Sequence, residues 1–505
     1  MMGIMKRLEK AFCLCALWAL SACVRNEPLE YALELAGDNR KELEYVLHHY
    51  ASDSLKLRAS EFLITNMPYH FSVVDDLEAP DGKSYYPDIM LLGVAEAVKQ
   101  HCDSLLMEGY RIRRRKFRDI NHVSADYLIT QIDLAFEAWR MPWAKDVSFE
   151  DFCHYVLPYR SENESLSDVR RSLMLHYVSL LDSAGVRTMD DACQVMNCHL
   201  KRELRFSETG HPLKSTLEET KRSGIGPCDA LSNYMIYAMR AVGIPAVRHQ
   251  TIWTRMDNSH FWVSVKKENG FFEFDPGENL SDSLLYDFAG KEILRPAKVY
   301  RREYEADFSL LSPSDDGYVS FLKSPLIRDV TEVLLDSAYT IRVPMYDGLK
   351  LAVGTQVYLC AFNLRNWIPI ALGACDDEGN AVFEKVAGRN FLMVAKATET
   401  GLLEMVSVPF CTNGKGGVCL LEADTDCVES YTFNRKEGEK DRLLGYWDRN
   451  AEHFIDLKCT ELTDTTQTFE GIPKNALLFY RNREYKRRQP VGMIVNGEYV
   501  DAMKW

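Results

Sequence analysis

The chain has no CxxC pair and no Cys/His cluster with zinc-ligand spacing. Its fourteen cysteines therefore declare no metal centre, and neither a metal nor a cofactor is expected. Beyond Ala11–Leu20 it has no apolar run that could serve as a membrane segment. Basic residues are in deficit, 60 Lys+Arg against 74 Asp+Glu. The net charge of −14 argues against nucleic acid as a partner. The run RIRRRKFR at Arg111–Arg118 is the exception, and it reads as a solvated helix face paired with acidic neighbours. No fixed-period repeat occurs, which excludes a solenoid. Indoles are sparse in the middle of the chain, with none between Trp143 and Trp253.

What is present begins with a signal. Lys6, Arg7 and Lys10 precede the apolar stretch Ala11–Leu20, followed by Ser21, Ala22 and Cys23. A basic segment, about ten apolar residues and a small-residue end describe an export signal. The tetrapeptide LSAC resembles a bacterial lipobox, which implies cleavage before Cys23 and lipidation of its thiol. The expected location is the bacterial cell envelope, with acyl chains as the membrane anchor. Export permits disulfides, and Cys411, Cys419 and Cys427 are spaced closely enough to invite one.

With 46% apolar, 27% charged and 11% aromatic residues, the rest is ordinary globular chain, long enough for three or four domains. Residues 23–145 read as a helical domain, with Asn39 and Glu42 as a cap and Leu43, Val46, Leu47 and Tyr50 as a stripe. Ser148 and Asp151 start another helix, which ends in the segment LPYR. Its Tyr159 and Arg160 suit either a cleft wall or plain packing. Residues 301–335 read as a linker, 336–410 as a β-sandwich and 411–505 as a second β-rich module closed by a hairpin at Asn496–Gly497. The two β modules could dock a glycan or a protein, or act as spacers.

Residues 146–300 hold the segment around which the chain is organised. Gly224, Gly226 and Pro227 break any preceding helix. Leu231, Tyr234, Met235, Ala238, Met239 and Val242 then mark one apolar helical face, stopped by Gly243 and Pro245. Cys228 falls at the start of this helix, where unpaired backbone N–H groups and the positive dipole end favour an anionic sulfur. Strands follow at Ala246–Trp253, His260–Val265 and Phe271–Phe274. A turn centred on Lys267–Glu268 would set His260 directly opposite Asp275. A simple turn at Asn269–Gly270 would instead set Asp275 opposite Ser264, about 13 Å along the strand from His260 at roughly 3.3 Å per residue.

The segments GIGPCDALSNYMIYAMRAVGIPAVRH, SHFWVSV and FFEFDP together resemble the transglutaminase-like family, over about Asp190–Glu278. The resemblance implies an α+β fold: a papain-related core with an N-terminal helical domain and two C-terminal β-rich modules. It implies Cys228 as nucleophile, His260 as general base and acid, and Asp275 as the group that holds the imidazole. A second oxyanion donor, which the family often takes from an upstream Trp or Gln, has only Gln194 as a candidate by residue type. The activity implied is acyl transfer through a thioester on a protein or peptide substrate. Peptide or amide hydrolysis is the first expectation and protein cross-linking the second, with a non-catalytic glycan- or protein-binding lipoprotein as the rival from another class.

Overall fold

The computed structural model describes residues 27–501 except 88–94, 207–212, 256–257, 275–295, 311–320, 336, 347–348, 364–365, 436–440, 482–487 and 496. The segment read as an export signal, Cys23 and Asp275 lie outside the described residues. No described helix is long and apolar enough to cross a membrane. The fold is α+β.

The chain opens with helices α1 (Glu27–Leu35), α2 (Arg40–His49) and α3 (Ser54–Asn66), then strands β1 (Phe71–Glu78) and β2 (Ser84–Tyr85). Helix α4 (Ala95–Met107), strand β3 (Arg111–Arg118), helix α5 (Ala125–Trp139) and helix α6 (Phe149–Tyr155) follow. The expectation of a helical region at 23–145 is therefore corrected by a three-stranded antiparallel sheet in the order β2-β1-β3. The basic run is strand β3, not a helix face. Its register sets Arg114 opposite Asp75 and Arg113 opposite Asp76. Opposite charges meet directly across such a ladder: Arg114 grips Asp75 through two hydrogen bonds of 2.8 Å, and Arg113 and Arg115 share Asp76. The acidic neighbours are those expected, but they lie on a partner strand.

Helices α7 (Arg170–Ser183) and α8 (Met189–Glu203) lead to the short strand β4 (Arg205–Phe206), helix α9 (Leu217–Ser223) and strand β5 (Ile225–Gly226). Helix α10 (Cys228–Ala241) is buried from Ala230 to Ala241 on every side, not along one face. It lies between the other helices and a five-stranded antiparallel sheet. The sheet is built from β6 (Ala246–Ile252), β7 (Ser259–Lys267), β8 (Gly270–Phe274), β9 (Tyr300–Arg302) and β10 (Ile327–Asp329), in the order β10-β9-β6-β7-β8. Two strands of this sheet, β9 and β10, come from the end of the expected core and from the segment read as a linker. One apolar cluster runs from Ala32 through Trp143, Tyr177 and Met235 to Tyr304, so no separate core ends at residue 145.

After helix α11 (Thr331–Leu334), strands β11 (Ala338–Pro344), β12 (Gln356–Asn363), β13 (Asn366–Cys375), β14 (Asn380–Ala387), β15 (Phe391–Ala397), β16 (Leu403–Met405), β17 (Phe410–Thr412) and β18 (Val418–Leu420) form one eight-stranded sheet. Strand β12 is apolar on both faces. Val357, Leu359 and Ala361 enter the cluster of this sheet, while Tyr358, Cys360 and Phe362 pack against Leu477, Phe479 and Met493 of the last module. The side-chain period of two divides one strand between two cores, so the C-terminal module is docked on the sheet. That module holds β19 (Asp424–Asn434), β20 (Leu444–Asp448), β21 (His453–Asp456), β22 (Cys459–Leu462), β23 (Thr466–Lys474), β24 (Leu478–Arg481), β25 (Arg488–Val495) and β26 (Glu498–Asp501). Val495 pairs with Glu498, so β25 and β26 run antiparallel as neighbours, and Asn496 of the expected turn lies outside the described residues. Cys411 faces Cys419 across β17 and β18, and Cys419 and Cys427 are free thiols.

Candidate active site

Cys228 owes its place to two helix ends. A capping box starts α9, in which the Thr216 hydroxyl accepts from the Glu219 N–H and the Glu219 carboxylate accepts from the Thr216 N–H. Helix α9 closes on Gly224 in the left-handed region, at φ +65°. Ile225 and Gly226 then pair in parallel with Arg205 and Phe206. Pro227 is extended, with φ −69° and ψ 168°, and the next residue, Cys228, begins α10. The sulfur side chain therefore sits half-buried beside a first turn whose N–H groups have no acceptor within the helix.

His260 stands on β7, opposite Thr251 of β6. Its ring runs nearly parallel to two buried indoles, those of Trp253 (centroids 5.9 Å apart, 19°) and Trp262 (5.6 Å, 18°). These two indoles fix the plane of the imidazole. The helix and the strand are tied by Ser232, one turn on from Cys228, whose hydroxyl donates to the carbonyl of Phe261 at 3.0 Å. The structure thus seats Cys228 and His260 on hydrogen-bonded neighbours.

The β7–β8 register matches neither expected turn. Lys267 pairs with Gly270 and Val263 with Phe274, so Glu268 and Asn269 form the loop, and Gly270 takes φ +135°. The three registers differ by two residues at a time. All three bury the same faces, so apolar alternation cannot choose among them. A tertiary network favours the observed one. Glu273 lies opposite Ser264 and accepts from the Ser264 hydroxyl at 2.8 Å, from His249 Nδ1 at 2.8 Å and from the Trp262 indole N–H. Arg301 Nε donates to His249 Nε2 at 2.8 Å, which leaves the His249 proton on Nδ1. Burial works against the Glu273 charge, but the three donated hydrogen bonds, that of His249 first, outweigh it, so the carboxyl is held below the usual carboxylate range. Glu273 was visible in FFEFDP, but nothing local marked it as the anchor of Trp262. Asp275 follows Phe274 and lies outside the described residues.

The LPYR segment packs beneath the site and does not line a cleft. Arg160 is fully buried. Its guanidinium grips Asp119 at 2.6 and 2.7 Å and donates to the Glu164 carbonyl at 2.9 Å. Burial opposes the Arg160 charge; the Asp119 and Glu164 carboxylates more than offset it, so its pKa is raised. The Tyr159 hydroxyl also donates to Asp119, at 2.9 Å. Gln194 is exposed on α8, away from that helix's buried residues Cys193, Met196, Asn197 and Leu200.

The loop ahead of His260 is held by the eight-stranded sheet, which stands where a β-sandwich was expected. Trp253 N–H bonds the Asn258 carbonyl at 3.1 Å to close the loop. Asn363, at the end of β12, donates to the Trp253 carbonyl at 2.9 Å and to the Asn258 carbonyl at 2.7 Å. Thr254 bonds Asn390, and Arg255 bonds the Arg389 carbonyl.

No curated protein matches the chain. Among solved structures, it is similar to the crystal structure of a candidate cysteine protease from Cytophaga hutchinsonii at 13% identity and a TM-score of 0.20, covering 23% of this chain and 40% of that one. The alignment thus spans less than half the length of that protein. A family model, that of the transglutaminase-like superfamily, matches residues 183–276, which include Cys228, His260 and Asp275. Within this α+β chain, residues 183–276 belong to the transglutaminase-like superfamily.

Proposed function

We propose that the protein is an exported, lipid-anchored cysteine hydrolase whose nucleophile is Cys228, with His260 as base and acid and Asp275 as the carboxylate that orients the imidazole. The observation that carries this reading is the placement of Cys228 as the first residue of α10, one turn before the Ser232 bond to the Phe261 carbonyl beside His260. In the first half-reaction His260 takes the thiol proton and the sulfur attacks the carbonyl carbon of a peptide or carboxamide. The C–N bond breaks, His260 gives its proton to the departing amine, and a thioester remains. Backbone N–H groups of the first α10 turn are the donors available to the oxyanion. Water, deprotonated by His260, then attacks the thioester and releases the acid. An amine in place of water would give cross-linking.

Thiol-directed labelling followed by peptide mapping tests the proposal. Cys228 is expected to react ahead of the exposed Cys198, Cys419 and Cys427, and to lose that advantage in His260→Ala. Hydrolysis of a peptide library is expected to vanish in Cys228→Ala and to fall strongly in Asp275→Asn with the fold intact. Undiminished hydrolysis in Cys228→Ala would end the proposal. The rival reading, glycan or protein docking without catalysis, finds support in a polar hollow on the β modules bordered by Glu422, Trp447, Asp448, Arg449 and Asn450. It predicts an inert Cys228 together with ligand binding that Trp447→Ala abolishes.

A further inference from the structure

Away from the Cys228 site, helices α7 and α8 bring together three side chains that nothing above uses. His176 projects from α7, and His199 and Glu203 stand four residues apart on α8, so the pair shares one face. His176 Nε2 lies 3.0 Å from His199 Nε2, and His199 Nε2 lies 3.2 Å from Glu203 Oε1. The three ligand atoms all fall within 4.8 Å of one another. Four donors at about 2.0–2.2 Å around a tetrahedral ion are separated by about 3.3 Å. Two of the three separations are thus close to those a zinc-class ion imposes, before any side chain moves.

The surroundings suit such an ion. The ring of buried Tyr177 meets both imidazoles edge-on, at 4.8 Å from His176 and 6.0 Å from His199, and forms an apolar floor under them. His176 and Glu203 are exposed and His199 is half-buried, so the site opens to solvent. Two imidazoles and one carboxylate select against magnesium and calcium, which want oxygen, and leave a fourth position for water. The spacing HLKRE carried half of this site in sequence. The other half is 23 residues away, at His176, and no local pattern could reveal it.

We propose that His176, His199 and Glu203 form a divalent transition-metal site of the zinc class that staples α7 to α8. Helix α7 packs directly on α10, so the staple would stiffen the scaffold behind Cys228 without touching it.

The test uses the full chain in a Cys228→Ala background, which removes the one thiol that could capture zinc beside an imidazole at the candidate active site. After chelator treatment and dialysis, calorimetric titration with zinc alone is expected to show one equivalent bound and a raised melting temperature. Magnesium and calcium are expected to produce neither. His176→Ala and His199→Ala should each weaken zinc binding by at least about tenfold, and Glu203→Gln by about tenfold. Their melting temperatures without zinc should match the parent's, since two of the three side chains are exposed. Cys198→Ser should leave the titration unchanged. Zinc affinity that survives both histidine substitutions, or that is lost in Cys198→Ser, would overturn the assignment. So would one-equivalent binding with no effect on melting, since a staple must stabilise what it joins.

Discussion

Replacing Glu273 with Ala removes the acceptor shared by three buried donors, His249 Nδ1, Trp262 Nε1 and Ser264 Oγ. A buried donor left unpaired costs about 1–3 kcal/mol. Ser264 can turn its hydroxyl to another acceptor, so the two donors that stay stranded, His249 Nδ1 and Trp262 Nε1, together cost about 4 kcal/mol. Glu273→Gln keeps the shape. Its carbonyl oxygen can take His249 and Trp262 while its amide donates to Ser264, so only the charge assistance on two bonds is lost, about 2 kcal/mol in total. For a core of this size each kcal/mol moves Tm by about 2–4 °C, so Ala should lower it by about 8–16 °C and Gln by about half as much. Calorimetry at pH 7 provides the measurement. On acidification the gap between wild type and Gln should close. The depressed Glu273 carboxyl contributes stability that is present above its unfolded-state value near pH 4.3 and lost as pH falls through the lower folded value. An Ala variant melting within about 2 °C of the parent would refute the network. A Gln variant as damaged as Ala would show that charge, not hydrogen bonding, holds it.

Three further outcomes are expected. Gly243 has φ +82°, and a Cβ there would stand 2.2 Å from the Ala138 carbonyl oxygen, whereas Gly185 has φ +68° with nothing within 4 Å. Gly243→Ala should therefore lose at least about 3 kcal/mol in urea unfolding and Gly185→Ala only about 1 kcal/mol. Arg160→Met strands the buried Asp119 carboxylate, a loss of about 3–5 kcal/mol that Arg160→Met with Asp119→Leu should largely restore. Asp76 is held at about 2 by its Arg113 hydrogen bonds, against burial, with help from Ser84 and Arg115. The stability it contributes is present above its unfolded value near 3.9 and lost as pH falls toward the folded one. The advantage of wild type over Asp76→Asn should fade over that window and shrink in high salt, because the arginines are partly exposed.

What the sequence revealed was local. The start of α10 at Cys228 and its stop at Gly243 follow from adjacent glycines, prolines and an apolar period, and the strands of the β-sandwich follow from alternation broken by turn residues. What it concealed depends on partners far along the chain. RIRRRKFR looks like a helix face until VVDDLE is known to run beside it. Asn39 and Glu42 look like a cap on α2, yet Asn39 donates to the carbonyls of Ile120 and Val123, and Glu42 accepts the Ala125 N–H at the start of α5. The segment 301–335 looks like a linker because β9 and β10 are three residues each and find their order only in a finished sheet. Cys228 and His260 were legible as chemistry; Glu273, Trp262 and Ser232, which hold them, were legible only as packing.

That dependence gives the eight-stranded sheet a role other than spacing. The buried Asn363 amide binds two carbonyls of the loop that carries Trp253, and Trp253 lies against His260. In Asn363→Ala the Asn258 carbonyl keeps the Trp253 N–H, so one acceptor is stranded and global stability should fall by only about 1–2 kcal/mol. The loop, however, loses its tether to the rigid sheet, and the indole beside His260 is released. If the imidazole plane matters to proton transfer, kcat should fall by about tenfold, equivalent to about 1.4 kcal/mol in the barrier, with KM little changed. A spacer would produce the stability loss without the kinetic one. Turnover equal to wild type at a temperature where Asn363→Ala is fully folded would therefore reduce the sheet to a spacer and detach it from the chemistry proposed at Cys228.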